Sequence, residues 1–210
     1  MVHIYYHIYA IDGVESIIDE QLNLIKKHFD FPYILNVGIS IADDNISIEY
    51  IINKFEKIRD VRSKGNEFVT LDLIEKDKEK FGDSDYILYI HTKGASKQNL
   101  ENVVSWRHLM NYFNIEKVKN VFKLFDKTDY NTYGVLLSNG DGWKLYSCNF
   151  WWAKALYVKE LNFENIKKRN RYQAEWNFIS TGENWKPYSS YNVNERNHYS
   201  ILFKKEEYAK

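Results

Sequence analysis

The chain has 210 residues, 44% of them hydrophobic, enough for one α/β domain with a buried core. Lys plus Arg and Asp plus Glu each number 29, so the formal net charge is zero, which argues against a protein that coats nucleic acid and leaves room for a local basic pocket. Aromatic residues reach 17%, with 17 Tyr and 6 Trp; that is more than a core needs, and such rings also line pockets for sugars and bases.

In chain order, residues 2–10 are rich in Ile, Tyr and Val and read as a first strand, with Ile11-Asp-Gly13 as its exit turn. Residues 15–29 place Ile17, Ile18, Leu22, Ile25 and Phe29 near helical period. Glu15 and Asp19 early and Lys26 and Lys27 late suit the helix dipole. Residues 31–40 predict a second strand, 46–58 a second helix and 67–71 a short third strand. Residues 86–90 form an unbroken apolar run, expected for a strand covered on both faces. This alternation predicts a doubly wound, mostly parallel sheet. Residues 101–125 carry a long helical pattern with a break expected near Asn114. Beyond it, 133–137 and 145–152 read as strands around a turn cluster at 138–142, 153–161 and 172–180 as helices, and 199–203 as a last strand.

Cys148 is the only cysteine, so no intrachain disulfide is possible, which suits a reducing, cytoplasmic setting. No basic region followed by an apolar run opens the chain, so no secretory signal is expected. No segment is long and apolar enough to predict a membrane span.

The candidate chemistry starts at His91-Thr-Lys-Gly94, immediately after strand 86–90. Open α/β sheets bind ligands beyond the carboxyl ends of their strands. An ammonium there, from Lys93, suits a phosphate. Gly-rich phosphate loops are missing, and the six His and single Cys make no zinc spacing. Asp83-Ser-Asp85 has the form of a metal clamp but precedes its strand and reads as a solvated turn. Asp43-Asp44 sits before the helix at 46 and suits a cap better than a metal. His3 and His7 read as satisfied sheet residues, and Cys148 as a small pocket or core residue.

Four motifs in order carry a resemblance: Ile90-His-Thr-Lys-Gly94, Trp106-Arg-His-Leu-Met-Asn-Tyr-Phe113, Tyr146-Ser-Cys-Asn-Phe-Trp-Trp-Ala153 and Ala174-Glu-Trp176. Together they resemble small bacterial and viral glycosyltransferase-like proteins of GT-A type, over about residues 4–180. That group has a His-Thr-Lys loop and a Ser-Gly-Asn-Phe-Trp-Trp segment; Cys148 stands here in place of the Gly. The resemblance implies a single GT-A-like α/β domain, with a nucleotide-binding half over 1–96 and a smaller, mixed acceptor-binding half over 97–210. It implies a nucleotide-sugar donor as substrate and a glycan or related acceptor, with no nucleic-acid partner. GT-A enzymes commonly end the fourth strand on an Asp-x-Asp motif; His91-Thr92-Lys93 occupies that place here, so a bound divalent metal is doubtful and no other cofactor is expected.

Transfer of a sugar from a nucleotide needs cations on the departing diphosphate, a base for the acceptor hydroxyl if the anomeric centre inverts, and a shaped pocket. The expected diphosphate-binding residues are His91, Thr92, Lys93 and Arg107, and the expected nucleoside contacts Tyr9 and Asp12. Glu175 and Asp141 are the candidate bases, with Glu175 set among aromatic residues. Asn149, Trp151 and Trp152 are the expected acceptor side, one Trp packing in the core and the other stacking on a sugar. The same residues also fit a catalytically inactive module that holds nucleotide or glycan, and, less well, a phosphate-handling enzyme using His91 and Lys93.

Overall fold

The computed structural model describes residues 1–140, 143–166, 171–176, 178–195 and 197–209. In order the elements are β1 (Val2–Ala10), α1 (Glu15–His28), β2 (Tyr33–Ile41), α2 (Glu49–Lys54), β3 (Ile58–Ser63), α3 (Phe68–Asp77), β4 (Tyr86–His91) and α4 (Glu101–Asn111). There follow α5 (Val118–Lys127), β5 (Thr132–Gly134), β6 (Leu137–Gly140), β7 (Trp143–Tyr146), β8 (Trp151–Lys154), α6 (Ala155–Lys159), α7 (Arg171–Trp176), β9 (Pro187–Ser189) and α8 (Lys205–Tyr208). One seven-stranded sheet has the order β3-β2-β1-β4-β8-β5-β9, and β6 and β7 form a separate antiparallel pair. Only β8 runs against its neighbours in the large sheet.

Alternate residues of the central strands feed two cores. Ile4, Tyr6 and Ile8 of β1 and Leu88 and Ile90 of β4 meet α1, α4 and α5 on one face. Tyr5, Ile87 and Tyr89 meet α3, α6 and α7 on the other. The period of two along an extended chain imposes this division. It also sends Trp151 and Trp152 to opposite cores. Each is 0% exposed, so neither ring offers a face to an acceptor, contrary to the expectation for one of them. Trp151 stacks on Tyr89 at 5.4 Å and donates its Nε1–H to Asn149 at 2.9 Å. Trp152 packs on Phe29 and Phe122 and donates to the Asn114 carbonyl at 2.8 Å.

That carbonyl lies in a π-helical turn, Tyr112–Glu116, between α4 and α5, at the break expected near Asn114. The widened turn frees a carbonyl from the helical ladder, and an indole takes it. Several elements differ from expectation, among them the second helix, which spans Glu49–Lys54 instead of 46–58. Residues 67–71 begin α3 instead of forming a strand, because Asn66 Oδ1 accepts the Phe68 N–H at 3.0 Å and starts a helix. α3 buries Phe68, Val69, Leu71, Leu73 and Ile74, so its sequence lacks the alternation of a half-exposed helix. The third strand is instead Ile58–Ser63, an edge strand whose charges hid it: Arg59 pairs with Asp77, and Arg62 with Asp60 and Asp72. Residues 145–152 are divided between β7 and β8 by left-handed backbone at Cys148 and Asn149, and 199–203 form no strand. Trp152→Phe should lower stability by about 2 kcal/mol, because packing is lost and the Asn114 carbonyl is left unpaired. In a chain of this size that is a fall in melting temperature of about 4–8 °C, measurable by calorimetry, with ligand affinities unchanged.

Candidate functional site

In the order β3-β2-β1-β4, successive connections leave β1 in opposite directions, and the crevice lies between β1 and β4. A cavity of about 350 Å³ opens there, at the carboxyl ends of the two strands. Its walls include Tyr9 from β1, Asn66 and Glu67 from the loop before α3, the 91–97 loop after β4, Cys148 and Glu175.

The loop after β4 is held from behind. Gln21 donates to the His91 carbonyl at 3.1 Å and to Asn111 at 3.2 Å. Arg107 Nη1 donates to the Lys93 carbonyl at 3.3 Å. The same guanidinium forms a bidentate pair with Glu20, at 3.2 and 2.9 Å, and Asn111 donates to Glu20 at 2.7 Å. Burial opposes the Glu20 charge, but hydrogen bonds from His108 and Arg107 outweigh it and hold the carboxyl down at about 2. Arg107 is therefore a positioning residue beneath the loop: it spends three donors on Glu20 and the Lys93 carbonyl and lies outside the cavity lining, contrary to the expectation that it meets a diphosphate. Gly94 follows at φ +81°, and a Cβ there would collide with Val103, so the sharp exit requires glycine.

From this base the side chains face forward. Thr92 Oγ1 accepts the Tyr9 N–H at 2.9 Å and ties β1 to the loop. His91 Nε2 lies 2.8 Å from the Cys148 carbonyl, which can only accept, so Nε2 carries the proton. Burial and the nearby Lys93 push the His91 pKa down to about 4, and burial with His91 beside it pushes His7 to about 3. Lys93 is only 8% exposed, its Nζ 4.3 Å from the centre of the Trp106 ring. Burial works against its ammonium, but Cys148, Tyr199 and Glu175 keep its pKa above the ordinary lysine value, so it is a cation at neutral pH.

Opposite the loop, Glu175 Oε1 accepts the Cys148 N–H at 2.8 Å. Asn149 donates to Glu67 at 2.9 Å and to the Ala174 carbonyl at 3.2 Å, and accepts from Trp151. It is 1% exposed; it braces the wall from behind and does not reach an acceptor. Cys148 takes φ +66°, where the resembling group carries Gly, so this chain holds a side chain in a backbone conformation that glycine adopts without strain. Asp12 lies on the surface outside the cavity lining, its carbonyl accepting from Gln98 at 3.2 Å. Asp141 lies outside the described residues. Among the described residues no three His, Cys, Asp or Glu side chains cluster as a metal site requires, and no helix is long and apolar enough to cross a membrane.

Tyr9, His91, Thr92, Lys93 and Glu175 thus share one cavity. Glu67, Lys97 and Tyr199 join them without having been singled out from sequence. Reading Asn66 as the start of a helix would have pointed to Glu67; no local pattern links Tyr199 to Lys93.

Two outcomes follow from these interactions. Arg107→Ala leaves Glu20 with only Asn111 and His108 and should cost about 2 kcal/mol in urea unfolding, with Glu20→Ala on the same background costing less than it does alone. His7 and His91 are neutral in the fold but titrate near 6.5 when unfolded, so the unfolded chain takes up protons first. Their contribution to stability is fully present above about pH 6.5 and declines as pH falls toward their folded values. Melting temperatures should drop between pH 7 and pH 5, and His7→Asn should make that slope shallower; an unchanged slope would assign it to other groups.

The chain belongs to a family described as a domain of unknown function, DUF8361, which matches residues 3–199. No curated protein matches it. Among solved structures it is similar to residues 1–349 of TarS from S. aureus, at 12% identity and a TM-score of 0.50, covering 92% of this chain and 60% of that one. It is also similar to a cytidylyltransferase from Leptospira borgpetersenii serovar Hardjo-bovis (strain JB197), at 12% identity and a TM-score of 0.49, covering 93% of this chain and 76% of that one. This chain therefore spans less than two thirds of the TarS fragment. The fold is GT-A-like: a mostly parallel sheet flanked by helices, with a small antiparallel pair.

Proposed function

We propose that the protein transfers a sugar from a nucleotide-sugar donor to a hydroxyl of a glycan or related acceptor, in a cytoplasmic step of polysaccharide assembly. The observation that carries this is the meeting of Lys93 and Glu175 in one cavity at the switch point of the sheet. Glycosyl transfer needs a cation and a base held apart, with the anomeric carbon between them. Lys93, joined by Lys97, takes the diphosphate, with His91 and Thr92 shaping the loop around it. Tyr9 lies on the nucleoside side, and residues 1–96 act as the donor half. Glu175, brought from the 97–210 half, is the base; the Cys148 N–H fixes one of its oxygens and leaves the other for an acceptor hydroxyl. Asp141 is the alternative base.

A second reading, a nucleotide- or glycan-binding module without turnover, draws support from the acceptor side. Trp151, Trp152 and Asn149 are all buried, so neither Trp supplies the one ring expected to stack on a sugar in the cavity. Release of nucleoside diphosphate from a panel of nucleotide sugars, with and without acceptor glycans, separates the two readings. Transfer requires acceptor-stimulated release, and binding without release favours the module.

Lys93→Ala should weaken nucleoside diphosphates by about tenfold or more while sparing nucleosides, because it removes one charged hydrogen bond to phosphate. Equal losses for both ligands in calorimetry would remove Lys93 from the diphosphate site. Glu175→Gln should keep the melting temperature and donor affinity while turnover falls by about a hundredfold or more. Wild-type turnover in Glu175→Gln beside a dead but folded Asp141→Asn would reverse the two roles. With Lys93 standing where an acidic pair would hold a metal, turnover should persist in a chelator. Loss in the chelator with recovery in manganese would show a metal requirement.

A further inference from the structure

Lys93 is almost buried, and what covers it is not part of the sheet. Tyr199 of the 197–203 segment lines the cavity, where a 3-10 turn, His198–Ser200, brings its hydroxyl to accept from Lys93 Nζ at 3.3 Å. The ammonium nitrogens of Lys93 and Lys97 lie 5.0 and 4.4 Å from the centre of the Tyr199 ring. Two cations thus face one neutral phenol, whose π faces and hydroxyl compensate them far less than phosphate oxygens would.

The segment is anchored at one end by Phe203, buried in the core, while its 198–200 turn is held by few hydrogen bonds. Asn102 donates to the Tyr199 carbonyl, the Phe203 N–H donates to Ser105 Oγ at 3.0 Å, and His198 Nδ1 lies 2.8 Å from Ser147 Oγ. Its backbone bonds are local, Ser200 to Asn197 and Ile201 to His198. Rings of His198, Tyr199 and Phe203 lie over Trp106, at 5.3, 5.2 and 6.2 Å between centres. The buried Nε1–H of Trp106 has no partner among the described residues, a cost this closed arrangement carries. Tyr199 itself is 41% exposed. Lifting the 198–200 turn about its Phe203 anchor would break few hydrogen bonds, and while Tyr199 stays in place its hydroxyl holds a position on Lys93 that a phosphate oxygen would take.

The geometry points to residues 197–203 as a strap that a diphosphate displaces, with phosphate oxygens replacing the Tyr199 hydroxyl on Lys93 and reaching Lys97. The identity of that diphosphate as part of a nucleotide rests on the function proposed above; the strap rests on its own contacts.

The test titrates wild type and Tyr199→Phe with inorganic pyrophosphate, a panel of nucleoside diphosphates and the matching nucleosides by calorimetry, and follows hydrogen exchange of residues 197–203. Tyr199→Phe keeps the ring and removes the competing hydroxyl. It should bind pyrophosphate and a nucleoside diphosphate about fivefold more tightly, with nucleosides unchanged, because the closed state is less favoured. Either diphosphate should speed amide exchange in 197–203 of the wild type. If pyrophosphate does this but no nucleoside diphosphate binds, the strap stands and the nucleotide-donor proposal falls. If a nucleoside diphosphate binds both proteins equally and leaves exchange in 197–203 unchanged or slower, the strap is overturned and the donor proposal survives. Failure of every diphosphate to bind either protein overturns both.

Discussion

The Glu20–Arg107 ion pair is the constraint on which the site depends. Arg107 is buried and Glu20 half-buried, and a guanidinium that far from water persists only when it is paired and hydrogen-bonded. Glu20 receives Arg107 twice, Asn111 once and His108 besides, and Arg107 gives a third bond to the Lys93 carbonyl. With Gln21 on the His91 carbonyl, the pair ties α1 and α4 to the loop after β4 through its backbone. Because the carbonyls are taken from behind, the side chains of His91, Thr92 and Lys93 are left to face the cavity. Charge buried on one side of the loop thus positions charge on the other.

The opposite wall depends on a local departure from regular backbone. Cys148 and Asn149 both adopt positive φ, at 66° and 58°, a combination that costs roughly 1–2 kcal/mol per non-glycine residue. The reversal ends β7, starts β8 and turns the Cys148 N–H toward Glu175. It also turns Asn149 toward Glu67, so one strained pair anchors both carboxylates of the cavity. The next two residues, Trp151 and Trp152, then fill the two cores on either side of the sheet. Their burial provides the packing that holds the strained turn in place.

The cavity is electrostatically mixed. Lys93 and Lys97 stand on the loop after β4, and Glu67 and Glu175 on the walls beside it. His91 and His7 remain neutral between them because burial disfavours their charged forms. Such an arrangement can receive an anion at one end and polarise a hydroxyl at the other, without a large net field that would draw in polyanions.

Strands β1, β2 and β4 and helix α1 of the parallel half were legible in the chain, because strands covered on both faces are largely apolar runs and α1 keeps its helical period. The end of β4 was legible for the same reason: an apolar run that stops at His91-Thr-Lys-Gly94 marks a strand end and a change of environment. Local pattern failed where tertiary contacts decide. α3 is buried all round and loses its helical signature, while β3 pairs its charges with distant aspartates and reads as a loop. Arg107 looks the same in sequence whether it meets a ligand or Glu20, 87 positions away. The aromatic pair Trp151-Trp152 suggests a sugar platform until the sheet places one ring in each core. Tyr199 reaches Lys93 across 106 positions, a contact set by how the last segment folds back over α4. Periodicity reports which face of an element is apolar; which charged or aromatic side chain is left with a free face depends on partners that only the folded chain brings together.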